Sequence, residues 1–327
     1  MMICKAIYFV ILMSSMTATN NIDLYKAEDG PAIVEARYFD WKDEARGRLV
    51  PVKVYYPPSI TGKCPVIIFS HGLGGTREGG ETWGRHWASY GYISLHIQHI
   101  GSDDKILRGT PEQLNNIAST LNAENWISRI KDVSFVLDKI EELNGSDHVF
   151  SNKIDLARIG MSGHSFGSAT TLGVCGQKIA YGAGGREMSF ADKRIKAGIA
   201  FSPSVTKRGD PKTAFGSVKI PLMSFTGTKD DSPVTPTKAA DRRIPFDNMT
   251  GKGKYLITFE GGDHWVFSGT KRFRGENAHD KSIHGFINMF TTVFWDAYLR
   301  GDKKAKEWLD GDGAASCLAG SVTLEKK

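Results

Sequence analysis

What most limits the fold of this 327-residue chain is an alternation of short apolar runs with longer amphipathic stretches. Segment 49–56 places Val50, Val52, Val54 and Tyr56 on one side, the period of a half-buried strand. Run 65–69 is apolar throughout and ends in Ser70-His71-Gly72, the pattern of a strand buried on both faces. Residues 77–90 read as helical and 92–97 as the next strand. From Trp126, the apolar residues Trp126, Ile130, Val133, Leu137 and Ile140 recur at four, three, four and three. That spacing predicts a helix with one buried stripe, stopped by Asn144-Gly145. β-like runs follow at 197–201, 221–226 and 255–259, and 283–299 carries Phe286, Ile287, Phe290, Phe294 and Ala297 along one helical side. Strands alternating with helices predict an α/β fold, a mostly parallel central sheet with helices on both faces.

No linker and no internal repeat divides the chain, so residues 19–327 are expected to form a single domain. Two polar, aperiodic stretches, near 102–125 and 177–194, read as insertions of the kind that become lids or rim loops. Residues 1–18 are set apart. Lys5 precedes an apolar run over 6–13 and a small-residue site at Met16-Thr17-Ala18, which together read as a secretory signal. The apolar run is far shorter than the ~20 residues that span a bilayer, so no stable membrane span is expected. The protein is therefore expected to be secreted or periplasmic. Loss of Cys4 with the leader leaves Cys64, Cys175 and Cys317, either one disulfide plus a free thiol or three thiols. Net charge is +6, a modest excess, and the densest basic cluster, Lys271-Arg272-Phe273-Arg274, reads as solvated surface. Nothing resembles a nucleic-acid-binding motif.

Between a β-type run and a helical stretch stands Gly163-His164-Ser165-Phe166-Gly167. In a G-x-S-x-G turn a serine is held on a sharp strand-to-helix bend, its hydroxyl clear of the backbone. Serine is a weak nucleophile, so such a site needs a base within reach and a third group to orient it. It also needs donors aimed at the negative oxygen of the intermediate, worth about 3–4 kcal/mol each. Ser70-His71-Gly72-Leu73-Gly74-Gly75 follows the buried strand 65–69, and Leu73 N–H and Phe166 N–H are the candidate oxyanion donors. The side chain of His71 is expected to brace that loop.

Thr226-Gly227-Thr228-Lys229-Asp230-Asp231 follows a strand and supplies an acid at its carboxyl end. Asp230 is preferred to Asp231, which then reads as a loop carboxylate or a cap for the following turn. Glu260-Gly261-Gly262-Asp263-His264-Trp265 follows the run 255–259, and His264 alone of nine histidines occupies a glycine-containing loop after the last strand. The catalytic candidates are thus Ser165, Asp230 and His264, in that chain order. No histidine pair has ligand company at a persuasive spacing, so neither a metal nor another cofactor is implied. Trp83, Trp126 and Trp265 are candidates to line the site, with Trp265 foremost because it adjoins His264.

With those residues placed, the chain resembles the α/β-hydrolase superfamily over nearly all of its mature length. Within it, the chain is similar to bacterial dienelactone-hydrolase-like and platelet-activating-factor-acetylhydrolase-like serine esterases. The resemblance is carried by Phe69-Ser70-His71-Gly72-Leu73-Gly74, by the Ser165 turn, and by the run 91–103 ending in His99-Ile100-Gly101-Ser102-Asp103. Two positions depart from those families. Ser165 stands where dienelactone hydrolases use cysteine, and Ser202 stands where the acetylhydrolases carry their acid. The second departure moves the acid to Asp230, similar to cutinases and lipases. The resemblance implies a serine hydrolase that cleaves a small-molecule or lipid ester through an acyl-enzyme. Phospholipase, acetylhydrolase and polyester-hydrolase activities are the alternatives. A serine peptidase and a non-catalytic binding protein rank below them.

Overall fold

The computed structural model describes residues 27–108, 117–181, 185–205, 209–270, 278–318 and 320–327. Residues 1–18, read above as a leader, and the basic cluster at 271–274 lie outside them. Strands are numbered in chain order. A nine-stranded sheet runs β1 (Glu35–Asp43), β2 (Arg48–Tyr56), β4 (Ile93–Ile97), β3 (Cys64–Ser70), β5 (Ile154–His164), β8 (Ile195–Phe201), β9 (Leu222–Lys229), β10 (Lys254–Asp263) and β11 (Val322–Lys326). From β4 to β10 in that order all neighbours are parallel. Antiparallel strands flank them at both edges.

Both faces of the sheet are covered. In β3, Val66 and Ile68 join one hydrophobic core, while Ile67 and Phe69 join the other. That is why the strand reads as an unbroken apolar run. The first core takes helices α2 (Ala123–Ser146) and α3 (Phe166–Val174), and Ile130, Val133, Leu137 and Ile140 form its buried stripe. The second takes α1 (Glu81–Ser89), α4 (Ala278–Trp295) and the helix Lys303–Asp310. Each buried large side chain contributes about 1.5–3 kcal/mol relative to exposure. This is the α/β-hydrolase fold.

Several boundaries differ from the sequence reading. The first helix begins at Glu81, because 77–80 remain in the preceding turn. Helix α2 begins where Asn122 Oδ1 accepts the Asn125 N–H at 2.9 Å, and it passes Asn144-Gly145 to end at Ser146. Asn144 does not break the helix because its Oδ1 accepts the Ile154 N–H, tying the helix end to β5. The 283–299 helix starts earlier, at Ala278, and runs into a π turn at Asp296–Arg300. Within 177–194 lies a hairpin, β6 (Lys178–Tyr181) with β7 (Arg186–Ser189). Within 102–125 lie two 3-10 turns, Asp104–Arg108 and Ile117–Thr120. Cys64, Cys175 and Cys317 are free thiols, and burial pushes the Cys175 thiol up to about 12. No helix among the described residues is long and apolar enough to cross a membrane.

The topology fixes where a ligand can sit. The chain leaves β3 through α1 toward β4 on one side, and leaves β5 through α3 toward β8 on the other. Strand order reverses between β3 and β5, and the crevice at their carboxyl ends is the natural binding position in such sheets.

Candidate active site

The loops that leave β3, β5, β9 and β10 at their carboxyl ends carry the predicted residues. Ser165 is the single residue between β5 and α3, with φ 55° and ψ −113°. A non-glycine residue in that region stores about 1–3 kcal/mol and persists only when over-determined by its surroundings. Here its N–H donates to Phe201 O at 2.9 Å, and its carbonyl accepts from the Ser168 N–H, Ser168 Oγ and Ser204 Oγ. A Cβ on Gly167 would lie 1.8 Å from Ser70 O, so the close seat of α3 on the end of β3 demands glycine there.

Ser165 Oγ–H donates to His264 Nε2 at 3.0 Å, and His264 Nδ1–H donates to Asp230 Oδ1 at 2.7 Å. The other carboxylate oxygen accepts from Thr226 Oγ1 at 2.8 Å. Asp230 is fully buried, His264 nearly so, and Ser165 half-buried. A carboxylate only accepts, so it fixes the proton on Nδ1 and leaves the Nε2 lone pair toward the serine hydroxyl. Asp230 is the first residue beyond β9 and His264 the first beyond β10. These strand ends touch closely, since a Cβ on Gly227 would sit 2.3 Å from Gly262 O. Asp231 points away from the histidine, pairing with Lys238 and accepting the Ala239 N–H.

Leu73 follows β3 and Phe166 opens α3; among the described residues neither N–H has a protein acceptor. His71 Nδ1–H donates to Gly72 O at 2.6 Å, and its Nε2 accepts the His99 N–H at 3.0 Å. Gly72 O belongs to the peptide unit that carries the Leu73 N–H. In a planar trans peptide, holding the carbonyl one way presents the N–H the other way. Burial holds His71 well below the usual imidazole range, so it stays a neutral brace. Arg129, which is fully buried, touches both the loop that carries Leu73 and Phe166 itself. Its guanidinium donates to His71 O, Ser102 Oγ and Thr170 Oγ1, and lies 4.4 Å from the Phe166 ring centroid. Burial pushes Arg129 down to about 9.

Three contributors carried no sequence signal. Arg129 sits on the predicted helix among its polar positions, and His164 fills the variable position of the turn. His164 Nε2–H donates to the backbone carbonyl of His264 at 2.9 Å, and burial holds it well below the usual imidazole range. Arg242 lies in a 3-10 turn (Ala239–Arg243), with Nη2 3.2 Å from His264 Nδ1. The tryptophans separate. Trp83 stacks on Phe201 in the core and Trp126 Nε1–H donates to Ala169 O, whereas Trp265 is 58% exposed beside His264. Leu107, also exposed, lies against Gly74 of the Leu73 loop, so the 102–125 segment reaches the site. In the 177–194 segment Phe190 lies edge-on to Trp126. Among the described residues no three His, Cys, Asp or Glu side chains group to hold a metal ion.

A hydroxyl on a strained turn, an imidazole beside it and two N–H groups without a protein acceptor among the described residues form a site able to move a proton and hold a negative oxygen. Comparison with known proteins points the same way. Residues 48–134, which include the Leu73 loop but not Ser165, match the family described as platelet-activating factor acetylhydrolase, isoform II. The chain is also 25% identical, over 309 residues, to the platelet-activating factor acetylhydrolase of Cavia porcellus. That alignment covers 80% of this chain and 64% of the relative, so the chain spans less than two thirds of that protein's length. By fold and by these matches, the chain resembles the platelet-activating-factor-acetylhydrolase-like serine esterases.

Proposed function

We propose that this protein hydrolyses carboxylic esters by two-step acyl transfer, with Ser165 as nucleophile. The observation that carries the reading is the continuous hydrogen-bond chain from Ser165 Oγ through His264 to Asp230, on a turn strained at the serine. His264 Nε2 takes the hydroxyl proton as Ser165 Oγ bonds to the ester carbonyl carbon. Asp230 holds the ring in that tautomer and balances the charge that arrives on it. The Leu73 and Phe166 N–H groups receive the oxyanion, the second at the positive end of α3. His264 returns the proton to the leaving alcohol. Water, activated by the same nitrogen, then releases the acid and restores Ser165.

The substrate class follows from the relatives and the rim. Exposed Trp265 and Leu107 beside the site suit an ester with an apolar part, and the acetylhydrolase match favours a short acyl group on a phospholipid-like alcohol. The leader read at 1–18 makes export part of the proposal, checked by finding the mature amino terminus near residue 19 outside the cytoplasm. Turnover of p-nitrophenyl acetate and butyrate by the purified protein, abolished in Ser165→Ala, is the expected result. Equal turnover by Ser165→Ala would refute the assignment.

A further inference from the structure

We propose that Arg242 is a positioning residue that ties the acid and the base to the sheet and sets how far into acid the site keeps working. The inference rests on the roles given above to Ser165, His264 and Asp230. Arg242 is 3% exposed, and its guanidinium is spent on the site's backbone. Nε–H donates to Asp230 O at 3.1 Å, and Nη1–H donates to Ser202 O at 3.3 Å and Pro203 O at 3.1 Å. Nη2 lies 3.2 Å from His264 Nδ1, and Nε lies 3.6 Å from Asp230 Oδ1. One side chain thus joins the residues beyond β8, β9 and β10. The turn that carries it is held by Asp231, which pairs with Lys238 and accepts the Ala239 N–H, and by Asp241, which accepts the Lys238 N–H. Neighbouring aspartates therefore divide the work, Asp230 facing the histidine and Asp231 holding the turn of Arg242.

Two opposite charges meet at His264 Nδ1, a carboxylate at 2.7 Å and a guanidinium at 3.2 Å. If Arg242 donated to a bare Nδ1, the ring proton would move to Nε2 and block proton transfer from Ser165. Asp230, closer and of the sign that attracts N–H, holds the productive tautomer. Arg242 remains as a fixed cation beside the nitrogen that Asp230 orients. The groups packed around that ring are few. Asp230 and Arg242 face it directly, and His164 lies with its ring centroid 4.7 Å away, neutral through burial. Asp263, one residue before, accepts the Trp265 and Val266 N–H groups, while Asp231 and Asp241 act on Arg242. Burial is the main influence lowering Arg242 itself, and Asp230, Asp231 and Asp241 oppose it; a guanidinium so placed keeps its charge.

The test is the pH profile of kcat and KM for p-nitrophenyl butyrate in the wild type, Arg242→Met, Arg242→Gln and Arg242→Lys, with thermal midpoints as the folding control. In Arg242→Met, kcat should fall about tenfold with KM within about twofold, and the acid limb of the profile should move to higher pH. Arg242→Gln, which keeps donors without charge, should move the limb in the same direction if the larger change fails to fold. Arg242→Lys should bring the limb back toward wild type while recovering only part of kcat. A folded uncharged variant whose acid limb stays in place overturns the proposal, even if its kcat falls. Turnover by wild type that survives Ser165→Ala would instead overturn the underlying assignment.

Discussion

Two serine–histidine–aspartate arrays in this molecule share one wiring. Ser165 donates to His264 at 3.0 Å and His264 to Asp230 at 2.7 Å; Ser70 donates to His99 and His99 to Asp132, both at 2.9 Å. The same atoms are used in the same order, Oγ to Nε2 and Nδ1 to the carboxylate. The surroundings differ. Ser70, His99 and Asp132 are wholly buried, and Ser70 ends an ordinary strand. Asp132 also binds Arg48 through both oxygens and pairs with Arg46, so it serves as the counter-ion of an internal network. Ser165 is half-buried, held at positive φ, and neighboured by N–H groups with no protein partner among the described residues. On the function proposed above, hydrogen-bond order alone does not make a nucleophile; access, backbone placement and waiting donors do.

The sharpest way to break this contrast is to remove each serine. Ser165→Ala should lower kcat/KM for p-nitrophenyl esters by at least about 10⁴-fold. Ser70→Ala should leave kcat/KM of the folded protein within about tenfold. It should instead cost about 1–3 kcal/mol of stability in urea titration, since His99 Nε2 loses its donor. Comparable losses of activity in both would erase the distinction.

Asp132→Asn comes next, leaving buried Arg129 and part-buried Arg46 and Arg48 without their carboxylate, at a cost of up to about 3–5 kcal/mol. An unchanged urea midpoint would contradict the structural role given to that array. Acid should act on it too. Burial, with Arg129 adding to it, pushes His99 down to about 4 from an ordinary 6.5. Burial of Asp132 works against ionisation, yet the His99 and Arg48 hydrogen bonds prevail and hold it at about 2 against 3.8. The unfolded chain therefore takes up the His99 proton first, and stability is lost as pH falls from 6.5 toward 4. Asp132 contributes fully above its ordinary 3.8 and loses its share as pH falls toward 2. His71, His96 and His164, lowered by burial, act in the same direction as His99. Urea midpoints across this window should fall with pH, and His99→Gln should flatten the slope above pH 4. A slope unchanged in that variant would be evidence against a buried neutral His99. The smallest effect is expected of Trp265→Ala, a rise of a few-fold in KM with kcat and thermal midpoint unmoved, because the ring is 58% exposed.

The sequence made the alternation legible because β3, β8, β9 and β10 are buried on both faces. The edge strands escaped it. In β1 only Arg37, Phe39, Trp41 and Asp43 turn inward, and two of those four are charged, which masks the apolar period; β11 is five residues long. Ser165, Asp230 and His264 could be named because each stands at a strand end near glycine. The preference for Asp230 over Asp231 has its physical reason in the end of β9 at Lys229, which turns one carboxylate inward and the next toward Lys238. Arg129, Arg242 and the Ser70–His99–Asp132 array left no trace in the sequence. Their partners lie tens of residues away and meet only through the sheet.

One measurement compares the two serines directly. A fluorophosphonate probe on the folded protein, followed by peptide mapping, reports which hydroxyl reacts. Modification of Ser165 alone, with Ser70 untouched, is the predicted result. Label on Ser70 in the folded state, or none on Ser165, would contradict the claim that surroundings and not wiring select the nucleophile.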